Sequence, residues 1–220
     1  MFQYVLFDLD GTLTDPKTGI TSCVQYALAD AGIEEPDLDK LEPFIGPPLT
    51  DSFREFYGFD DEQIKRAIDK YHERFDEKGI FENEIIEGIP ELLKALKDAG
   101  RRVSIASSKP RPLVIRILEH FEIAQYFDTV VGSEFDGRFA TKEAVVEEAL
   151  KQLVPSVYEK EDVAMVGDRK FDIQGARAHG LTGIGVSFGY AGEHELEDAG
   201  ADYIVDTVEE LQRLLLQGGL

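Results

Sequence analysis

The sequence predicts an α/β fold in which helices cover both faces of a parallel β-sheet and an all-helical segment interrupts the chain. Apolar runs rich in β-branched residues alternate with amphipathic stretches along most of the 220 residues. This alternation is typical of parallel strands joined by crossover helices. Between residues 16 and 83 the alternation stops and only helical periodicity remains. We therefore expect a three-layer core and a separate helical unit.

Six short runs are candidate strands of the core sheet. In chain order they are Tyr4–Leu9, Val103–Ser107, Thr129–Val131, Val163–Val166, Gly183–Ser187 and Tyr203–Val205. The amphipathic segments between them predict helices over Pro90–Ala99, Pro112–Phe121 and Thr141–Leu153. The first of these begins with proline and stops before glycine, which is the usual asymmetry of helix ends.

The inserted segment contains three candidate helices, each followed by a glycine. They are Thr18–Ala31, Thr50–Tyr57 and Asp60–Lys78. The connections Asp15–Gly19 and Asn83–Ile86 are expected to act as hinges. We predict a core domain of residues 1–15 and 84–220 and a helical domain of residues 16–83.

Composition limits the location and the partners of the chain. It is 43% hydrophobic and 30% charged, and no apolar run approaches the roughly 18 residues of a membrane span. The first residues lack the pattern of a signal peptide, and a single cysteine suits a reducing compartment. A net charge of −21 argues against nucleic-acid polymers and anionic membranes as partners. We expect a cytoplasmic monomer or homodimer.

Two acids follow the first candidate strand in the segment FDLDGT. Asp8 and Asp10 are two residues apart, and on an extended strand this spacing points both side chains to one side. At the carboxyl end of a parallel strand they would face the crevice where such sheets bind ligands. Gly11 permits a tight turn, and Thr12 adds a hydroxyl. A cation site is one interpretation, and an Asx turn leading into a loop is the other.

A second pair of acids follows another candidate strand in GDRKFD. Asp168 comes directly after the strand, and Asp172 lies about one helical turn further along. Taken alone, Asp168 is best explained as the N-cap of the next helix. Beside Asp8 and Asp10 that explanation weakens, because acids from two strand ends can share one hard cation.

Two further stretches offer groups that could hold an anion. In VSIASSKP a strand ends in Ser107, Ser108 and Lys109, where hydroxyls and free N–H groups at a helix start can form an oxyanion site. An ordinary serine N-cap explains this stretch equally well. Lys142 lies at the start of a helix, where the helix dipole disfavours a lysine. Without further context, a solvated surface lysine is the simpler explanation.

Taken in order, DLDGT, Ser107, Lys142 and GDRKFD resemble the four motifs of the haloacid dehalogenase-like superfamily, and the resemblance covers nearly the whole chain. The helical segment resembles the cap domain of that family. IGPPLTDSFREFYG, SSKP and GSEFDG resemble its phosphoglycolate-phosphatase-like branch, which includes 5′-nucleotidases. The resemblance implies a Rossmann-like core with strand order 5-4-1-2-3, in which the strand of Asp8 adjoins that of Asp168.

The resemblance also implies a role for each residue. Asp8 would attack phosphorus and become an aspartyl-phosphate, while Asp10 would protonate the leaving oxygen and then activate water. Mg²⁺ would be bound by Asp8, the backbone carbonyl of Asp10 and Asp168, with Asp172 in support. Ser107 and Lys142 would contact the phosphoryl oxygens. Candidate substrate contacts, assigned by position, are Gly11, Thr12, Gly46, Arg54, Ser108 and Lys109.

These expectations describe a Mg²⁺-dependent phosphatase for a small soluble phosphate monoester. A sugar-phosphate mutase of the β-phosphoglucomutase type would use the same motifs, and pyrophosphate hydrolysis is also open. A dehalogenase is disfavoured, because relatives with that activity lack the second aspartate and Asp10 is present here. A signalling module that is merely phosphorylated on aspartate would be shorter and would have no helical insert.

Overall fold

The computed structural model describes residues 2–134, 136–154 and 158–217, and the chain divides into two compact units. The first, which we call the core unit, consists of residues 1–14 and 85–220. The second, the helical unit, consists of residues 15–84.

The strands form a six-stranded parallel sheet and a separate two-stranded one. In chain order they are β1 (Tyr4–Phe7), β2 (Thr14–Asp15), β3 (Glu84–Ile85), β4 (Arg102–Pro110), β5 (Thr129–Ser133), β6 (Val163–Gly167), β7 (Thr182–Val186) and β8 (Tyr203–Val205). The large sheet has the order β5-β4-β1-β6-β7-β8, and β2 pairs with β3. In the centre, Phe7 of β1 lies opposite Ile105 of β4 and Val166 of β6. The carboxyl ends of these three strands therefore meet at one edge.

The predicted strand order is correct for five strands but omits the sixth. Numbered within the large sheet and read from β7, the order is 5-4-1-2-3, and β8 is added beyond β7. Tyr203 in β8 is exposed and only Val205 is buried, which is typical of a short strand at a sheet edge. The apolar run Tyr203–Val205 was therefore a strand, but one outside the five-stranded pattern.

Helices cover both faces of the large sheet, which confirms the three-layer α/β fold. The helices are α1 (Lys17–Asp30), α2 (Leu49–Tyr57), α3 (Asp61–Phe75), α4 (Ile89–Asp98), α5 (Arg111–His120), α6 (Lys142–Leu153), α7 (Lys170–Ala178), α8 (Glu195–Ala199) and α9 (Val208–Gln217). Helices α6 and α7 pack with Leu6, Ala106 and Met165 on one face. On the other face, Phe7 and Ile105 are fully buried; α4 and α5 contact β4, and α9 contacts α4 and β8. In the part of the chain described, no helix has the length and apolar character needed to cross a membrane.

The helical unit contains α1, α2 and α3 together with short 3₁₀ segments. Asp60 caps α3, since its side chain accepts a hydrogen bond from the Gln63 backbone N–H. The helix ends at Phe75, three residues before the predicted end. The following turn packs directly on α1, because a Cβ at Gly79 would lie 2.5 Å from Cys23 Sγ.

Candidate active site

Acids from the ends of β1 and β6 meet at the carboxyl edge of the sheet. The Asp8 N–H donates to the Val166 carbonyl at 2.9 Å, and Asp168 directly follows β6. Asp172 lies in the first turn of α7, where its Oδ2 accepts from the Arg169 N–H at 3.0 Å. One carboxylate oxygen from each of Asp8, Asp168 and Asp172 lies within 4.8 Å of the others. We call these three residues the acidic triad.

Lys142 is buried against the acidic triad. Its side chain is 6% exposed, and its Nζ lies 2.8 Å from Asp8 Oδ1 and 2.7 Å from Asp172 Oδ1. The same Nζ donates to the Ala106 carbonyl at 3.0 Å. The cap residue Thr141 fixes the start of α6, and therefore fixes Lys142 as its first residue. The interpretation as a solvated surface lysine is wrong, because two carboxylates offset the unfavourable position in the helix dipole.

Three buried carboxylates and one ammonium leave an excess of negative charge. Burial raises the pKa of Asp168 well above its ordinary value, and the charges of Asp172 and Asp8 add to that effect. Burial also raises the pKa of Asp172 to about 6, although Lys142 opposes the shift. Burial would lower the pKa of Lys142, but the two neighbouring carboxylates outweigh it and the pKa is raised. A bound cation would relieve the repulsion within the triad.

Asp10 is paired with a different lysine. Lys109 Nζ lies 2.6 Å from Asp10 Oδ2, and both side chains are largely buried. Burial raises the pKa of Asp10 above its ordinary value, although Lys109 opposes the shift. The predicted strand is too long, because β1 ends at Phe7 and neither Asp8 nor Asp10 belongs to it. The charge of Asp8 nevertheless contributes to the raised pKa of Asp10, after burial.

The two serines lie at the end of β4. Ser107 is buried, and its Oγ accepts a hydrogen bond from the Lys109 backbone N–H at 3.3 Å. Its own hydroxyl hydrogen can therefore be donated elsewhere. Ser108 is tied down through its carbonyl, which accepts from Ser133 Oγ at 2.8 Å. Neither serine caps α5, since the N-cap residue is Pro110 and no side chain bonds to it.

The backbone packs closely around Asp168. Gly11 has φ of 78°, and a Cβ there would lie 2.1 Å from Asp168 Oδ2. Thr12 Oγ1 lies 3.5 Å from Asp168 Oδ1. Asp168 does not cap α7, whose N-cap is Arg169; instead its Oδ2 accepts from the Tyr190 N–H at 2.8 Å. Gly11 and Thr12 therefore shape the carboxylate site, and their contact with substrate remains a prediction.

Sequence reasoning missed the segment after β7. A Cβ at Gly189 would lie 2.3 Å from Asp168 Cβ, and the next residue, Tyr190, supplies the N–H bonded to Asp168. The available signal was topological: β7 is the parallel neighbour of β6, so its carboxyl end lies at the same edge. A glycine in the loop at that point permits close approach of the backbone.

Two of the predicted substrate contacts belong to the helical unit. Gly46 has φ of 104° and precedes the two prolines before α2. Arg54 is 55% exposed and forms an ion pair with Asp61 at 2.5 Å. Both residues remain predictions as substrate contacts.

The sequence model described as haloacid dehalogenase-like hydrolase matches residues 5–186. The chain belongs to this family. A protein from Clostridium acetobutylicum described as a predicted phosphatase has a crystal structure with a TM-score of 0.92 and 46% identity, covering 99% of each chain. The haloacid dehalogenase-like resemblance is thereby confirmed.

Two named proteins are also similar to this haloacid dehalogenase-like chain. A 5′-nucleotidase from Pseudomonas aeruginosa is 45% identical over 196 residues, which cover 89% of this chain and 87% of that protein. Tyrosine-protein kinase PtkA from Mycobacterium tuberculosis is 38% identical over 216 residues, which cover 97% of this chain and 72% of that protein.

The acidic triad fits a hard divalent cation. Carboxylate oxygens are the ligands that Mg²⁺ prefers, and the triad offers one from each of its three residues. Burial raises the pKa values of Asp168 and Asp172, and neighbouring carboxylates add to both shifts; a cation would compensate that negative charge. The triad can therefore hold a metal ion in this hydrolase.

Proposed function

We propose that the chain is a Mg²⁺-dependent phosphatase that hydrolyses a small phosphate monoester through an aspartyl-phosphate on Asp8. The observation that supports this most is the burial of Lys142 among the acidic triad at the carboxyl edge of the sheet. Burying several charges together costs free energy, and such clusters are common where chemistry requires them.

Asp8 is the proposed nucleophile. Lys142 holds Asp8 Oδ1 at 2.8 Å, which orients the carboxylate and leaves its second oxygen to attack phosphorus. The new bond joins Asp8 to phosphorus as the bond to the leaving oxygen breaks. Lys142 reduces the repulsion between the carboxylate and the anionic phosphate, and the Ser107 hydroxyl can donate to a phosphoryl oxygen.

Asp10 is the proposed acid and base. Burial raises the pKa of Asp10 above its ordinary value, so the carboxyl takes up a proton more readily than an exposed aspartate and can pass it to the leaving oxygen. In the second step the resulting carboxylate takes a proton from water as the water attacks phosphorus and releases Asp8. Lys109 Nζ, 2.6 Å from Asp10 Oδ2, holds the carboxylate in place for this second step.

The proposed metal ligands are Asp8, Asp168, Asp172 and the backbone carbonyl of Asp10. Mg²⁺ bound there would offset the negative charge of the nucleophile and the phosphate. We further propose that residues 16–83 act as a cap, with Gly46 and Arg54 contacting the substrate, on a catalytic core of residues 1–15 and 84–220. The names of the two similar proteins, a nucleotidase and a kinase, both refer to phosphoryl transfer, so nucleoside 5′-monophosphates come first in a substrate panel.

The test is hydrolysis of an aryl phosphate in Mg²⁺ by wild type and Asp8→Asn. We expect kcat/KM to fall at least about 10³-fold in the variant, because no carboxylate remains to attack phosphorus. The matched control is Asp98→Asn, an exposed aspartate of α4 paired with Lys94, and it should retain full activity. Retained turnover in Asp8→Asn would overturn the proposal.

A panel of esters then separates the related reactions. Free phosphate from nucleoside monophosphates, phosphoglycolate or sugar phosphates supports the phosphatase. An isomerised sugar phosphate without net phosphate release would instead identify a mutase, and preference for pyrophosphate would identify a pyrophosphatase.

A further inference from the structure

We propose that Arg169 and Glu195 are positioning residues for the Asp168 carboxylate. Their ion pair fastens the loop of residues 187–194 through the Gly192 N–H, two residues after Tyr190, which donates its backbone N–H to Asp168. The inference rests on the metal centre of the proposed function, and it assigns the loop and its ion pair a role in metal affinity.

The loop after β7 packs directly on Asp168. A Cβ at Gly189 would lie 2.3 Å from Asp168 Cβ and 2.5 Å from both Asp168 Oδ2 and the Gly11 carbonyl oxygen. The next residue donates its N–H to Asp168 Oδ2 at 2.8 Å. Lys142 forms ion pairs with Asp8 and Asp172. Asp168 instead accepts hydrogen bonds from the Tyr190 N–H and, at 3.5 Å, from the Thr12 hydroxyl. The orientation of Asp168 therefore depends on where the loop lies.

Glu195 connects the far end of that loop to the residues next to Asp168. Its Oε1 accepts from Arg169 Nε at 2.9 Å and from the Lys170 N–H at 2.8 Å. Its Oε2 accepts from the Gly192 N–H at 3.1 Å and from Arg169 Nη2 at 3.4 Å. One carboxylate thus joins the loop, through Gly192, to the two residues that directly follow Asp168.

The ion pair is suited to a positioning role. Both side chains are only 14% exposed, so bulk water screens the interaction weakly. Hydrogen bonds between a guanidinium and a carboxylate are strong and directional. Despite burial, the pKa of Glu195 is lowered by Arg169 and by the two backbone N–H groups, which keeps the acceptor ionised. Groups that orient a metal ligand in this way commonly change metal affinity by roughly 10- to 100-fold when replaced.

The test compares Mg²⁺ binding by wild type, Glu195→Gln and Arg169→Gln, measured by isothermal titration calorimetry. We expect Mg²⁺ to bind on the order of 10-fold more weakly to each variant. The double variant should bind no more weakly than the weaker single variant, because either change already breaks the pair. At saturating Mg²⁺, the kcat of Glu195→Gln for an aryl phosphate should approach that of the wild type.

The matched control is Asp202→Asn. Asp202 also connects a loop to β7, but at the opposite end of that strand. It accepts a hydrogen bond from the Gly183 N–H at 2.9 Å and forms an ion pair with Lys160 at 2.5 Å. Its replacement should lower the unfolding temperature and leave Mg²⁺ affinity unchanged. Equal weakening of Mg²⁺ binding in Asp202→Asn would overturn the inference, because it would indicate general loosening of the fold.

Three other outcomes are decisive. Unchanged Mg²⁺ affinity in Glu195→Gln, with wild type binding normally, overturns the positioning role and leaves the proposed function standing. A wild-type chain that binds no Mg²⁺ overturns the metal centre and this inference with it. A chain that binds Mg²⁺ as expected but hydrolyses no phosphate ester overturns the proposed function alone.

Discussion

The helical unit and the core unit use charged residues in opposite ways. In the helical unit, Arg54 pairs with Asp61 and Arg66 with Asp30, and both arginines are more than half exposed. In the core unit, Lys142 lies buried between Asp8 and Asp172. Exposed ion pairs add little to stability, whereas buried charges are costly to desolvate. The burial of Lys142 with two acids therefore supports the catalytic role that we propose for this site.

A cluster of opposite charges is not sufficient to mark a site, as a second, partly exposed set in the core unit demonstrates. The Asp128 side chain is 21% exposed and accepts from the Val103 N–H at 2.8 Å, while Lys97 and Arg102 pair with it at 2.8 and 3.0 Å. Here two cations surround one acid. The acidic triad has three acids and one lysine, which contacts two of them, Asp8 and Asp172. The excess of carboxylates, together with their burial, distinguishes the candidate active site.

Lys142→Met tests the charge balance of the site and should have the largest effect. Removing the ammonium leaves Asp8 and Asp172 buried without their cation, which costs about 3 kcal/mol of unfolding free energy in the absence of Mg²⁺. Loss of charge compensation at the nucleophile should lower kcat/KM by at least about 10²-fold. Urea unfolding at pH 7 and aryl phosphate hydrolysis measure the two effects.

The control for this variant is another lysine of α6. Lys151 is 60% exposed and pairs with Glu147, so Lys151→Met should leave both the unfolding midpoint and the activity unchanged. Equal unfolding midpoints and equal activities in Lys142→Met and Lys151→Met would contradict the proposed difference between buried and exposed charges.

Asp128→Asn tests the cluster of Asp128, Lys97 and Arg102. It should lower stability by an intermediate amount and leave activity unchanged. We expect a loss of about 2 kcal/mol at pH 7, because hydrogen bonds to a charged acceptor are removed, with kcat/KM unchanged. Burial would raise the pKa of Asp128, but Lys97, the Val103 N–H and Arg102 together outweigh it. The pKa of Asp128 is therefore lowered in the folded chain.

The sign of the pH dependence follows from that lowered pKa. The folded chain binds the Asp128 proton more weakly than the unfolded chain, so the stabilisation is present above the unfolded pKa of about 3.9 and disappears as pH falls through the folded value. The difference in unfolding free energy between wild type and Asp128→Asn should therefore shrink on acidification below about pH 4. A difference that grows in acid would contradict this account.

Arg54→Ala and Arg66→Ala test the exposed charges and should have the smallest effects on stability. Both arginines pair with an aspartate at the surface of the helical unit, so neither change should move the unfolding midpoint. If Arg54 contacts substrate, its replacement raises KM several-fold with kcat nearly unchanged, and Arg66→Ala does not. Equal KM values for both variants would remove Arg54 from the substrate contacts.

Features that depend on local residue pattern and on strand topology could be predicted from the sequence. Helical periodicity placed the helices, and the position of Asp8 and Asp168 after two strands indicated that they could share a cation. That the two strands are neighbours was implied by the family resemblance, and the sheet confirms it. Lys142 could not be placed from its own surroundings, because its partners, Asp8 and Asp172, are distant in sequence. Only the family resemblance pointed to it.

The errors also have physical reasons. Strand alternation was extended to Asp8 and Asp10 although β1 ends at Phe7. The contact of Tyr190 with Asp168 is a backbone hydrogen bond, and any residue other than proline carries that donor. A contact made by the backbone leaves little trace in residue type, so only strand topology, through the position of β7 beside β6, could indicate the loop after β7.

The central claim is that Asp8 carries the phosphoryl group during turnover. Asp10→Asn with an aryl phosphate tests it most directly, because a phenolate leaves readily without a proton while hydrolysis of the intermediate still needs a base. Acid-quenched samples are digested, and the peptide that contains Asp8 is examined by mass spectrometry. We expect one added phosphoryl group on Asp8, and we expect this phosphorylated form to accumulate in Asp10→Asn above its level in the wild type. Substrate turnover with no phosphoryl group on that peptide in either protein would contradict it.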